Sequence, residues 1–246
     1  MRSEPPLPSD LQKFAFFVDI DGTLADIAVA PHLARVPLET RQALSTIFER
    51  SSGALAIVSG RQLADIDRLL GMTELPAAGI HGAQLRLATG HLQTVDARPS
   101  DFDVIDRTLQ AHLAQFPDIM IERKPLSIAV HYRAAPDLGV FVKDLADTLL
   151  AQHPRLKVVS GKMIVEMLPA TADKGSAVSR LMSEEPFRGR IPVFAGDDIT
   201  DEDAFNVING LQGLSVKIGP GLSVARYGFD DSNGFRNWLA EIASLI

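Results

Sequence analysis

The chain has 246 residues, 46% of them hydrophobic and 22% charged, enough apolar material for one large domain or two modest ones and too much for a disordered chain. A net charge of −7 with no run of Lys and Arg leaves no positive field for nucleic acid or an anionic membrane, and the absence of cysteine removes disulfides, zinc–thiolate sites and thiol nucleophiles. No stretch reaches membrane-spanning length, and the amino terminus has acids and prolines where a secretion signal needs a basic start and an apolar run, so a cytoplasmic monomer or weak dimer is expected.

Residues 1–10, with three prolines, are expected to form a loose tail. An apolar run at 14–18 then predicts a buried strand, followed by an amphipathic helix over 38–49, a strand at 54–58, a helix over 63–70 and a strand at 77–80. Segments 84–87 and 92–95 flank Ala88-Thr89-Gly90-His91 as a hairpin would.

From Pro99 the pattern changes. A helix through about 116, strands at 119–123 and 127–132, a helix over 136–151 and strands at 156–159 and 163–167 suggest an antiparallel sheet with helices on one face. The first pattern then resumes with a helix over 174–182, a strand at 192–195, a helix over 201–207, a strand at 214–218 and a helix over 234–246. Strands alternating with crossover helices imply an α/β fold, a Rossmann-like doubly wound parallel sheet, carrying an inserted α/β cap. The expected boundaries are 1–98 for the first part of the core, 99–170 for the cap and 171–246 for the rest of the core.

The first strand ends on Asp19-Ile20-Asp21-Gly22-Thr23. Strand residues two apart point the same way, so Asp19 and Asp21 can converge just beyond the carboxyl end of a buried strand, the edge where open α/β sheets place ligands. Gly22 permits a sharp turn and Thr23 offers a hydroxyl. The run at 192–195 likewise ends on Gly196-Asp197-Asp198-Ile199-Thr200-Asp201-Glu202. If the two strands are neighbours, their carboxylates share one crevice and need a counter-cation; oxygen-only ligands favour Mg²⁺. Ser59-Gly60-Arg61 at a strand end and Asp173-Lys174-Gly175 at a helix start supply what a phosphate needs. Taken singly, each piece is also an ordinary turn or cap; their order makes one phosphate site.

This order of motifs resembles the haloacid dehalogenase superfamily of phosphohydrolases, with the insertion between Ser59 and Lys174 where that superfamily carries its α/β cap of the second type, C2. More narrowly it is similar to the bacterial trehalose-phosphatase family over nearly the whole length after the tail. The strings that carry the likeness are Ser59-Gly60-Arg61, Gly79-Ile80-His81-Gly82-Ala83, Glu122-Arg123-Lys124, His131-Tyr132-Arg133, Gly161-Lys162 with Glu166, and the two acidic and lysine motifs. The resemblance implies a hydrolase in the last step of trehalose biosynthesis, a Mg²⁺-dependent phosphatase acting on trehalose 6-phosphate. Asp19 would be the nucleophile that becomes an aspartyl phosphate, Asp21 the acid and base, and Ser59 and Lys174 the holders of the phosphoryl group. It assigns Mg²⁺ to Asp19, the Asp21 carbonyl and Asp197, with Asp198 and Asp201 as further ligands or immediately behind the ligands. Thr23, Gly60, Arg61, His81, Glu122, Lys124, His131, Lys162 and Glu166 would contact the sugar phosphate.

Read without the resemblance, Lys124 and Lys162 are solvated strand-edge charges, and His131 is a structural histidine. Leu168 stands before Pro169 where many relatives carry a basic residue. Another sugar phosphate, such as sucrose 6-phosphate or a glycosyl phosphate, fits the same chemistry, because selectivity lies in the cap. A receiver module that merely holds phosphate on an aspartate fits less well, since Asp21 is suited to activating water. Closure of cap on core is expected, with hinges over residues 97–100 and 169–172.

Overall fold

The computed structural model describes residues 2–97 and 99–245. In chain order its elements are β1 (Phe14–Val18), α1 (Leu38–Arg50), β2 (Leu55–Val58), α2 (Leu63–Leu70), β3 (Ala77–Gly79), β4 (Gln84–Arg86), β5 (Leu92–Thr94), α3 (Pro99–Leu113), β6 (Met120–Lys124), β7 (Ser127–His131), α4 (Gly139–Leu150), β8 (Leu156–Gly161), β9 (Ile164–Pro169), α5 (Lys174–Met182), β10 (Ile191–Gly196), α6 (Glu202–Gly210), β11 (Leu214–Ile218), β12 (Tyr227–Phe229) and α7 (Ser232–Ser244). The chain forms two compact units, Met1–Gln93 with Asp173–Ile246, and Thr94–Ala172. The expected first boundary, 98/99, and the hinge over 97–100 involve Arg98, which lies outside the described residues, as do Met1 and the expected helix end at Ile246.

The first unit is built on a sheet of order β12-β11-β10-β1-β2-β3-β4-β5. Its strands from β12 to β3 run parallel, and β4 turns back antiparallel to β3. Both faces of its centre are covered, which explains why β1, β2 and β10 read as unbroken apolar runs rather than alternating ones. Phe16, Val18, Leu55, Ile57 and Val193 pack with Leu44 and Ile47 of α1, Ile66 of α2 and Trp238 and Leu239 of α7. The intervening Ala15, Phe17, Ala56, Val58 and Phe194 pack with Val178 and Leu181 of α5 and Phe205 and Ile208 of α6. The parallel arrangement sends the carboxyl ends of β10, β1, β2 and β3 to one edge, and it is there that the acidic motifs lie.

The second unit is an antiparallel sheet of order β6-β7-β9-β8. One face, Ile128, Val130, Val165 and Met167, packs against Phe102, Ile105 and Leu109 of α3 and Val142 and Ala146 of α4. The registers Lys124↔Ser127, Glu122↔Ala129 and Ala129↔Glu166 put the polar residues of β6, β7 and β9 on the opposite face.

Two expectations are corrected, and one strand is added that the sequence pattern did not indicate. The tail is tied down: the Arg2 guanidinium donates to the carbonyls of Ala225, Gly221 and Ser223, and Gly228 N–H donates to Ser3 O. The short strand β12 extends the sheet past β11, where only three residues pair and one is Gly228. Helix α7 begins two residues before its expected start because Asp231 caps it, accepting from Gly234 N–H at 2.8 Å. Among the described residues no helix is long and apolar enough to cross a membrane.

Candidate active site

The carboxyl ends of β1 and β10 are neighbours, and Asp19 N–H donates to Ala195 O at 3.0 Å, so the first residue beyond each strand enters one crevice. Carboxylate oxygens of Asp19, Asp197 and Asp201 lie within 4.8 Å of one another, all buried. Two glycines make this approach possible. A Cβ on Gly22, whose φ is +82°, would stand 2.0 Å from Asp197 Oδ2, and one on Gly196 would stand 2.3 Å from the Asp201 carboxyl carbon. The two acids therefore lie directly against bare backbone, where any side chain would displace them.

Lys174 enters from the first turn of α5, whose start is fixed by Asp173 accepting from Ser176 N–H. Its ammonium, 2% exposed, reaches Asp201 Oδ1 at 2.6 Å and Asp19 Oδ1 at 3.0 Å. Burial pushes the Asp19 carboxyl well above the usual carboxylate range; Lys174 opposes this, while Asp201, Asp197 and Asp21 add to it. Burial alone would pull Lys174 down, but Asp19 and Asp201 hold its ammonium above the ordinary lysine value. Three buried carboxylates of hard oxygen donors, with no His or Cys among them, form the donor set a small divalent cation takes.

Asp198, expected beside Asp197 as a ligand, is not in this group. Its backbone N–H donates to Asp201 Oδ2 at 2.9 Å and its carboxylate accepts from the Asp201 backbone, a capping box around the turn Ile199–Asp201. That turn carries Asp201 back over Gly196 and into the cluster.

Asp21 is held differently. Arg61 Nε and Nη2 donate to its two carboxylate oxygens, each at 2.7 Å, and the Arg61 side chain is 8% exposed against 41% for Asp21. Arg61, expected on the substrate, thus orients the second acid of the motif. Its backbone N–H donates to Ser59 Oγ at 3.2 Å, and Ser59, at the end of β2, is buried. The neighbouring turn after β3 is strained, with φ of +49° at Ile80 and +52° at His81. It is fixed by Ile80 N–H donating to Arg61 O and His81 N–H to Ser59 O, and the His81 ring covers Gly60, where a Cβ would meet Nε2 at 2.6 Å. Thr23 is fully buried and its Oγ1 has no hydrogen-bond partner among the described residues.

In the second unit the polar sheet face carries two linked pairs. Glu166 Oε1 accepts from Lys124 Nζ at 3.0 Å and from Ser127 Oγ at 2.5 Å, with Lys124 7% and Glu166 3% exposed. Glu122 Oε2 and His131 Nε2 meet at 2.8 Å. Burial would raise the Glu122 carboxyl, but the His131 hydrogen bond and the Lys124 charge bring it below its ordinary value. Lys124 is therefore no solvated edge charge, whereas Lys162 is exposed in the β8–β9 turn, its carbonyl accepting from Arg133. Leu168 is fully buried.

A sequence profile of the trehalose-phosphatase family matches residues 17–231. The chain is 38% identical over 237 residues to the trehalose-6-phosphate phosphatase of Escherichia coli K12, covering 95% of this chain and 88% of that one. Among solved structures it is similar to the C-terminal domain of Candida albicans trehalose-6-phosphate phosphatase, with a TM-score of 0.87 at 24% identity over 100% and 99% of the two chains. A haloacid dehalogenase-like hydrolase from Bacteroides thetaiotaomicron shares the fold at a TM-score of 0.66 and 14% identity, over 94% and 98%.

Proposed function

The chain belongs to the trehalose-phosphatase family, and from that premise we propose that it hydrolyses trehalose 6-phosphate to trehalose and phosphate, with Mg²⁺ as cofactor and Asp19 as nucleophile. The observation that carries the reading is the meeting of Asp19, Asp197 and Asp201 around the Lys174 ammonium at the carboxyl edge of the sheet.

Asp19 Oδ attacks phosphorus as the bond from phosphorus to the sugar oxygen breaks, giving an aspartyl phosphate and dividing one hard displacement into two easier ones. Asp21, aimed by Arg61, protonates the departing sugar oxygen. It then removes a proton from the water that attacks the aspartyl phosphate, releasing inorganic phosphate and restoring Asp19. Lys174 steadies the Asp19 carboxylate and, with the Ser59 hydroxyl and the backbone of Gly60, receives phosphoryl oxygens. The buried Thr23 hydroxyl is a further donor at this edge. The Asp19 and Asp197 carboxylates and the Asp21 carbonyl would hold Mg²⁺, with Asp201 beside them and Asp198 shaping the turn; when bound, the ion supplies neutralisation of the charge on the phosphoryl group.

The disaccharide's hydroxyls call for ionised and amide groups that donate or accept in fixed directions. Glu122, Lys124, His131 and Glu166 on one sheet face, with Lys162 at the adjoining turn, make such a set, and His81 borders the phosphate end. The test is phosphate release from a panel of sugar phosphates with and without Mg²⁺. Trehalose 6-phosphate is expected to be turned over far faster than sucrose 6-phosphate or glycosyl phosphates, and only with the metal. Similar rates on several unrelated monosaccharide phosphates would overturn the substrate assignment, and full activity of Asp19→Asn would overturn the covalent mechanism.

A further inference from the structure

Strand β11 is apolar except on the face that carries Ser215 and Lys217. Lys217 is 5% exposed, a burial that a lysine tolerates only with acceptors around its ammonium. Nζ donates to the Asp197 carbonyl at 2.8 Å and to the Ile218 carbonyl at 2.7 Å. The last paired residues of β10 and β11 are Gly196 and Lys217, so the Asp197 carbonyl lies one residue beyond the ladder, where the strand no longer fixes the backbone. The Lys217 side chain supplies that fixation, joining the end of β10 to the end of β11.

The residue so pinned is one that must be held accurately. The Asp197 carboxylate lies against Gly22 and within 4.8 Å of those of Asp19 and Asp201, so a small rotation of its backbone drives it into Gly22 or out of the cluster. Asp201 is placed by Lys174 and the capping box, and Asp19 by the centre of the sheet. The Asp197 carbonyl is tied to β11 by the Lys217 ammonium.

We infer that Lys217 is a positioning residue for Asp197, setting the site's affinity for its divalent cation through the Asp197 backbone. The inference rests on the metal reading above and adds to it a residue outside the acidic motifs. Lys217 also borders a surface cavity of about 560 Å³ shared with Asp198, Glu202, Leu222 and Val224, which gives a longer basic side chain room to bend.

The experiment titrates the metal-free chain with Mg²⁺ in a calorimeter, for wild type, Lys217→Met, Lys217→Gln and Lys217→Arg, with circular dichroism and thermal melting as the check on folding. Lys217→Met keeps the volume and removes the ammonium that donates to the Asp197 and Ile218 carbonyls; it is expected to bind Mg²⁺ roughly 10–100-fold more weakly, the usual effect of removing a group that orients a ligand. Lys217→Arg is expected to recover affinity to within about threefold, since it restores charged donors. Loss in the Met variant with recovery in Arg separates positioning from a general weakening of the fold. Should Lys217→Met fail to fold, Gln against Arg decides, with weak binding by Gln supporting the inference. Wild-type affinity in a folded Met or Gln variant overturns it, and absence of Mg²⁺ binding by the wild-type chain overturns the metal reading together with it.

Discussion

Gly22→Ala tests the closest approach in the site. Gly22 has φ of +82°, a left-handed conformation that costs an L-residue about 1–2 kcal/mol, and its new Cβ would lie 2.0 Å from Asp197 Oδ2. Neither the backbone of Gly22 nor a carboxylate fixed at its carbonyl can yield without moving Asp197, adding about 1–3 kcal/mol of overpacking. Gly90 provides the matching control: its φ is +79°, but nothing lies within 4 Å of a Cβ there. Gly90→Ala is therefore expected to lower Tm by about 2–8 °C through backbone strain alone, at roughly 2–4 °C per kcal/mol for a chain of this size, with turnover unchanged. Gly22→Ala should fall by that amount plus the collision, and, on the proposed Mg²⁺ reading, its kcat/KM at limiting Mg²⁺ should drop roughly 10–100-fold, as expected when a proposed metal ligand is displaced. Steady-state phosphate release against Mg²⁺ concentration, with melting curves for both variants, reads all of these. A Gly22→Ala chain with wild-type Mg²⁺ dependence would falsify the claim that Asp197 is held by contact with Gly22.

In the metal-free chain, folded Asp19 holds its proton more tightly than unfolded Asp19, so its ionisation costs stability as pH rises from the ordinary aspartate range, about 3.9, toward its raised value. Metal-free Asp19→Asn should therefore melt above wild type at pH 7, with the gap closing on acidification; equal melting temperatures at pH 7 would contradict the burial argument. Lys174→Met leaves Asp19 and Asp201 buried without their shared ammonium, a loss of about 3–5 kcal/mol measured by denaturant unfolding, and wild-type stability in this variant would show that the ammonium is dispensable. Lys124→Met should reduce kcat/KM for trehalose 6-phosphate at least tenfold while sparing p-nitrophenyl phosphate, which has no sugar to recognise; equal losses on both substrates would remove Lys124 from sugar binding.

The central strands of the core were legible because a parallel sheet covered on both faces leaves few polar positions, so 14–18 and 55–58 stand out as unbroken runs. The pairing of Asp19 with Asp197 followed from β1 and β10 being neighbours. What the sequence could not carry was the path of the chain after each strand. Asp198 adjoins Asp197 in sequence, yet the tight turn Ile199–Asp201 brings Asp201 into the cluster and leaves Asp198 as its cap, a choice made by hydrogen bonds and by the open space over Gly196. The Arg61–Asp21 clamp joins residues 40 apart, and Arg2 binds carbonyls 219 to 223 residues away, separations at which periodicity is silent.

A local sign nonetheless existed for several buried charges. Lys217 lies between Val216 and Ile218 in β11, and Glu166 between Val165 and Met167 in β9, while Lys124 ends the strand β6 beside Arg123. A charge at such a position is either solvated at an edge or buried with partners, and strand order decides between them. β11 is flanked on both sides by β10 and β12, and Glu166 lies on β9 between β7 and β8; each of these charges is buried with its partners supplied. Lys124 is the instructive case, because β6 is an edge strand and its ammonium is still 7% exposed: its partner is Glu166, two strands away across Ser127 and Ala129, whose short side chains leave the long ones room to meet. Small residues between two opposite charges on one sheet face are thus the pattern to seek, since they turn separate edge charges into a buried ion pair.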